Sequence, residues 1–149
     1  MNNPEFEKTT GYRFKDATLL DKALTHSSHV AAHSNKGILN NERLEFLGDA
    51  FFDAIVSEEL YHRLRDVEEG TLTKMRAKIV CEQSLATVGV RLNIGAYPNM
   101  GRGEEKNGGR TRESIIADAV EAVIGAIFLD GGYDAAKAFV LEKFAQIFG

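Results

Sequence analysis

Residues 115–129 read Ile-Ile-Ala-Asp-Ala-Val-Glu-Ala-Val-Ile-Gly-Ala-Ile-Phe-Leu, and this segment constrains the fold more than any other. Taken as a helix, it is apolar on every face except at Asp118 and Glu121. A helix that is apolar all round is a buried helix. It carries two carboxylates into the core, and a buried charge is costly unless it is paired or binds a cation. No lysine or arginine lies within the segment to pair with either acid. Their i, i+3 spacing puts both on one face.

A second helix, spanning about residues 41–65, sets the same problem. Leu44, Phe46, Leu47, Ala50, Phe51, Phe52, Ala54, Ile55 and Val56 cover most of its surface. Glu45 and Asp49 share a face at i, i+4, and Asp53 continues that line one turn further on. The simplest arrangement turns the two acidic faces toward each other. Four carboxylates around one small volume repel strongly when ionised. A divalent cation removes that conflict, and ligands that are all oxygen select Mg²⁺ or Mn²⁺ over zinc or copper. A di-iron carboxylate bundle would need Glu-x-x-His pairs, and no histidine follows Glu45 or Glu121 at that spacing. The alternative is that Asp118 and Glu121 each bond a base from elsewhere, such as Arg76 or Lys78. Gly48 lies beside Asp49, and Gly125 lies one turn after Glu121. Each glycine costs roughly 1 kcal/mol in a helix interior relative to alanine. Close approach of two helix backbones is the compensating gain, and local packing is the alternative.

The rest of the chain reads as helical too. Only Pro4 and Pro98 interrupt it, and no run alternates β-branched residues with period two. The expected class is all-α, one helical domain over residues 1–149. Asp16 is placed to cap a helix running to Leu24. Residues 33–37 form a polar stretch, residues 66–70 a turn, and residues 71–92 a helix broken near Cys81 or Gly89. Residues 95–112 read as a loop rich in glycine and charge. Ser114 is expected to cap the helix over residues 115–129, Gly131 and Gly132 to stop it, and Asp134 to cap a last helix through Ile147.

Composition narrows the function. With 44% hydrophobic and 27% charged residues the chain is globular rather than disordered. No segment reads as a membrane span, and residues 1–5 show no secretory signal. A lone cysteine, Cys81, cannot form an internal disulfide, which fits a reducing cytoplasm; it reads as a buried small apolar residue. His26, His29, His33 and His62 read as surface or packing residues. The net charge of −4 argues against a nucleic-acid partner, because phosphates need countercharge. Any such function must be argued from the site itself.

At residues 41–50, Asn-Glu-Arg-Leu-Glu-Phe-Leu-Gly-Asp-Ala, the chain resembles the ribonuclease III signature nearly residue for residue. Gly11-Tyr12-Arg13-Phe14 and Ala23-Leu24-Thr25-His26 resemble that family's N-terminal region. Glu69-Gly70 with Met75-Arg76-Ala77 resembles its middle. Residues 101–109, followed by residues 112–122, resemble its second acidic block. The resemblance implies an all-helical endonuclease domain of the bacterial type, without the family's double-stranded-RNA-binding domain. It implies that Glu45, Asp49, Asp118 and Glu121 are catalytic, metal-binding acids. Glu42 and Glu69 match two further acids near the catalytic valley, as RNA-positioning or interface residues. Phe46 matches an aromatic that inserts into the partner subunit; the other reading is a core phenylalanine.

The implied activity is Mg²⁺-dependent hydrolysis of double-stranded RNA by in-line attack, giving 5′-phosphate and 3′-hydroxyl ends, in the processing of rRNA, mRNA or small RNAs. Mn²⁺ would substitute, and no organic cofactor is implied. One site cuts one strand, so a C2 homodimer is expected to set two sites along one valley. Metal bound by the acids would offset part of the net charge. Lys74, Arg76 and Lys78, with Arg102, Lys106, Arg110 and Arg112, remain for the RNA backbone. A-form RNA is read mainly by shape, phosphate and 2′-hydroxyl. Two readings compete. A non-catalytic relative would be expected to have lost one of the four acids. A small-molecule phosphohydrolase would need a nucleotide-cradling loop, and Gly-Lys-Ser/Thr is absent.

Overall fold

The computed structural model describes residues 4–29 and 40–149. Among these the helices are α1 (Pro4–Thr10), α2 (Ala17–Ala23), α3 (Glu42–Arg63), α4 (Glu69–Ile79), α5 (Glu82–Arg91), α6 (Arg102–Lys106), α7 (Glu113–Gly131), α8 (Tyr133–Lys143) and α9 (Ala145–Phe148). Short 3-10 turns occupy Ile94–Ala96 and Gly109–Thr111. The all-helical expectation holds: among the described residues the extended pairing is one isolated bridge, Thr25 to Asn99. The polar stretch at residues 33–37, with His33, lies outside the described residues.

Helix α7 is the axis of the fold. Residues 115–117 and 119–127 are all buried, and α2, α3, α5 and α8 pack around it. Gly132 ends it with φ at 89°, a left-handed conformation that favours glycine. Asp130, in its last turn, accepts from Tyr12 Oη at 2.6 Å and from the backbone N–H groups of Lys15 and Asp16 at 2.8 and 2.9 Å. Burial opposes the Asp130 charge, but these donors outweigh it and hold its pKa below the usual range. The N-terminal segment is thereby tied to the central helix.

Helices α3 and α7 cross at two glycines. A Cβ on Gly48 would fall on the backbone carbonyl of Glu121, and one on Gly125 would overlap that of Leu44. Backbone cannot yield as a side-chain tip can, so each position requires glycine. This is the close approach expected from the sequence.

Several local expectations are corrected. Helix α1 was not anticipated; Pro4 opens it, where its missing N–H costs nothing, and Phe6 anchors it in the core. Asp16 does cap α2, accepting from Thr18 N at 3.0 Å. Asn41 is the N-cap residue of α3 but gives it no side-chain cap; Asn40 Oδ1 accepts from Glu42 N at 2.9 Å, while Asn41 Nδ2 donates to the Ala23 carbonyl. Ser114 and Asp134 lie inside the first turns of α7 and α8 instead of capping them. The break after α4 comes at Cys81, where Ser84 Oγ donates to the Lys78 carbonyl at 3.1 Å. Cys81 is half-buried rather than buried. The 95–112 loop contains α6 and both 3-10 turns. Helix α3 is less buried than its composition suggested, with Phe46, Ala50 and Ala54 exposed.

Gly48→Ala is expected to lower the unfolding free energy by at least about 3 kcal/mol. Gly70→Ala, where a Cβ meets nothing within 4 Å, should stay within about 1 kcal/mol of wild type. Urea denaturation checks both, and a Gly48→Ala midpoint equal to wild type would contradict the crossing.

Candidate metal centre

The α3–α7 crossing sets the acids. Glu45 and Asp49 lie on α3, one residue or one turn from Gly48; Asp118 and Glu121 lie on α7, one or two turns before Gly125. Glu45, Asp118 and Glu121 each offer a carboxylate oxygen, and the three oxygens lie within 4.8 Å of one another. Asp49 stands outside that triplet but hydrogen-bonds Glu121. Three of the four acids read from the sequence therefore form one compact donor set, and the fourth adjoins it.

Their protonation follows from the crowding. Burial, the hydrogen bond to Asp49 and the charges of Asp49, Glu45 and Asp118 push Glu121 up to about 9. Its residue is only 9% exposed, so water does little to relieve the repulsion. Glu45 is pushed up to about 7 by burial and then by Asp118, Glu42 and Asp49. Asp118 is raised by burial, then by Glu82 and Glu42. None of the four acids forms an ion pair among the described residues. The alternative that Arg76 or Lys78 neutralises Asp118 or Glu121 is not what the structure holds: Arg76 donates to Ser57 Oγ instead. A half-buried set of oxygen donors without internal countercharge suits a hard divalent cation.

The remaining acids differ. Glu42 is exposed at the start of α3, close enough for its charge to raise both Glu45 and Asp118. Glu69 is exposed in the first turn of α4 and is not part of the triplet. Asp53 is raised by burial and by Asp49, with Arg76 opposing. Glu82, which the sequence reading missed, opens α5 and reaches Asp118 through space. Its only signal was an acid just past the helix break, and nothing local tied that break to α7.

The basic residues divide into two groups. Lys74, Arg76 and Lys78 on α4, and Arg102 and Lys106 on α6, are exposed. Arg110 donates to the carbonyls of Gly95 and Pro98 and pairs with Glu105 at 2.9 Å. Arg112 pairs with Glu104 at 2.6 Å and donates to the Asn107 carbonyl. These two staple the loop, and part of their charge is already answered. Phe46 is 81% exposed, so it is not a core residue. With Leu19, Leu44, Leu47 and the 53%-exposed Leu129 it borders an open apolar depression. Two histidines keep ordinary roles: His26 Nδ1 meets Ser28 Oγ at 2.8 Å, and His62 lies edge-on to Tyr61; His29 Nδ1 is buried with no hydrogen-bond partner among the described residues. Among the described residues no helix is long and apolar enough to cross a membrane.

Fold and site together define an all-helical domain with a partly buried polycarboxylate centre at a helix crossing. A model of the ribonuclease-III-like family matches residues 16–147, and the chain belongs to that family. It is 49% identical over 141 residues to Ribonuclease 3 of Caldanaerobacter subterraneus subsp. tengcongensis, covering 95% of this chain and 61% of that protein. It is 52% identical over 137 residues to Ribonuclease 3 of Desulforamulus reducens, covering 92% and 56%. The chain thus spans about three-fifths of the length of these relatives. The nuclease domain of ribonuclease III from Campylobacter jejuni superposes with a TM-score of 0.91 at 44% identity, covering 99% of each chain. Dicer from Pichia stipitis matches with a TM-score of 0.65 at 27% identity, over 89% of this chain and 55% of that one.

The raised carboxyls give a pH dependence. Glu121 binds its proton more tightly folded, at about 9, than at its ordinary 4.5. Between those values the native state holds more protons than the unfolded state, so stability falls as pH rises through that window. In chelator-treated protein, Glu121→Gln should gain stability relative to wild type on going from about pH 5 to about pH 8.5. Urea denaturation at both pH values reads it. A wild-type advantage that grows with pH would contradict the assignment.

Proposed function

We propose that this chain is the catalytic domain of a double-stranded-RNA-specific endoribonuclease, dependent on Mg²⁺ and active as a twofold homodimer. The observation that carries the reading is the group of Glu45, Asp118 and Glu121, the first two half-buried and the third buried, paired with no lysine or arginine among the described residues. Relatives called Ribonuclease 3 and the Campylobacter jejuni nuclease domain support the choice of substrate class.

Glu45, Asp118 and Glu121 would hold the ion, with Asp49 beside Glu121; the hydrogen bond between those two belongs to the protonated, ion-free centre. A bound Mg²⁺ supplies a water of lowered pKa and polarises a phosphoryl oxygen. The chain's own work is different. The glycine crossing keeps the carboxylates at fixed spacing. Glu121 and Glu45 give up their protons when the centre is loaded. Glu42, on the exposed rim, repels a phosphate that strays and so helps fix its place. Glu69 would act further out along the RNA path. Lys74, Arg76, Lys78, Arg102 and Lys106 offer exposed positive charge to phosphates, while Arg110 and Arg112 hold the loop that carries α6. The products would carry 5′-phosphate and 3′-hydroxyl ends. Mn²⁺, equally an oxygen-seeking ion, would substitute.

For the dimer, the support is Phe46, a large aromatic left open to water beside an apolar depression. A solved Campylobacter jejuni structure concerns a region involved in dimer formation. In the proposed assembly Phe46 enters the second copy, and two centres face one duplex. A reducing, cytoplasmic setting completes the reading and accords with the free thiol of Cys81.

Glu121→Gln is expected to lower the cleavage rate of long duplex RNA in Mg²⁺ by at least about a hundredfold with the helical fold retained. Cleavage at the wild-type rate would remove the site assignment. Phe46→Asp touches no core packing, and light scattering should show it monomeric beside a dimeric wild type; a dimeric variant would contradict the interface.

A further inference from the structure

Three arginines of this chain answer carboxylates: Arg63 pairs with Glu59, Arg110 with Glu105 and Arg112 with Glu104. Arg76 does not. Its Nη1 donates to Ser57 Oγ on α3 at 3.0 Å. The Ser57 hydroxyl spends its own proton on the Asp53 carbonyl at 2.7 Å, so toward Arg76 it acts only as an acceptor. The contact is therefore directional. It seats the guanidinium from a helix that also carries the site acids, and it does so with a neutral group. Arg76 forms no ion pair among the described residues, and its side chain is exposed.

Its place along α3 is also defined. Ser57 lies one turn beyond Asp53, which lies one turn beyond Asp49. The positive charge of Arg76 is felt at Asp53. The row on α3 thus runs Glu45, Asp49, Asp53 and then a seated cation. A guanidinium offers a planar fork suited to two phosphate oxygens. One held by a neutral oxygen, and only reached through space by Asp53, stays open to an anion from outside. Lys74 and Lys78, two residues to either side on α4, do not share its face and do not duplicate it.

We propose that Arg76 is a positioning residue: seated by the Ser57 hydroxyl, it grips one backbone phosphate of the RNA strand just beyond the carboxylate centre and so sets which phosphodiester lies over that centre. The inference rests on the RNA-cleaving function proposed above.

The test measures duplex-RNA binding by the full chain in the Glu121→Gln background, over a range of salt concentrations. Arg76→Ala should bind about tenfold more weakly, and the slope of log K against log salt should flatten by about one phosphate contact. Arg76→Lys should restore the slope but only part of the affinity. Ser57→Ala keeps the charge, so it should keep the slope while losing affinity, and Ser57→Thr, which retains the acceptor, should match wild type. Calorimetric Mg²⁺ affinity in the Arg76→Ala single variant should stay within about twofold of wild type, because Arg76 touches none of the ligand acids. In cleavage assays of the same single variant, KM should rise and cuts should spread to neighbouring phosphodiesters, as loss of a positioning contact requires. An Arg76→Ala protein with wild-type slope and affinity, or one altered only in melting temperature, overturns the proposal while leaving the nuclease reading intact. A wild-type protein that neither binds nor cuts duplex RNA overturns both.

Discussion

Where α3 crosses α7, Gly48 lies against the carbonyl of Glu121 and Gly125 against that of Leu44. Two helix backbones touch there without side chains between them. The chain accepts the helix-weakening cost of two glycines in order to bring the flanking residues together. Those flanking residues are the acids. Any side chain at the crossing would push the helices apart and move Glu45 away from Asp118 and Glu121, so the polar centre depends on an apolar packing detail.

The second constraint is electrostatic. Several acids elsewhere in the molecule are answered locally: Glu58 by Tyr133 and Lys137, Asp130 by Tyr12 and two backbone N–H groups, Glu104 and Glu105 by arginines. At the crossing they are not. Glu121 sits in the core with Asp49, Glu45 and Asp118 around it, and it is driven toward its neutral form. Concentrating unanswered acid at one point also accounts for much of the chain's negative balance. The exposed bases of α4 and α6 can then face a polyanion despite a net charge of −4.

Much of this was legible in the sequence because the signals were conflicts. Asp118 and Glu121 in an otherwise apolar helix, and Gly48 and Gly125 inside helices, each break a local rule, and such breaks mark functional or tightly packed positions. The features that were not legible depend on tertiary placement. The exposure of Phe46 could not be told from core burial, because a helix this rich in apolar residues has no periodic gap to mark its open face. Glu82 reaches Asp118 only because the chain turns at Cys81 and α5 packs on α7. Arg110 and Arg112 looked like free charge and proved to be loop staples, since their partners at Gly95, Pro98 and Glu104 are set by the path of the loop. The caps expected at Ser114 and Asp134 moved by one or two residues because packing of α7 and α8, rather than capping chemistry, decides where those helices begin.

The central claim is that Glu45, Asp118 and Glu121 come together, that burial and then mutual repulsion raise their hold on protons, and that the centre releases protons to a hard cation. Isothermal titration of the chain with Mg²⁺ near pH 7.5, repeated in two buffers of different ionisation enthalpy, measures that exchange directly; the account predicts about one proton or more released per ion bound. Binding with the same heat in both buffers, or no binding at all, would contradict it.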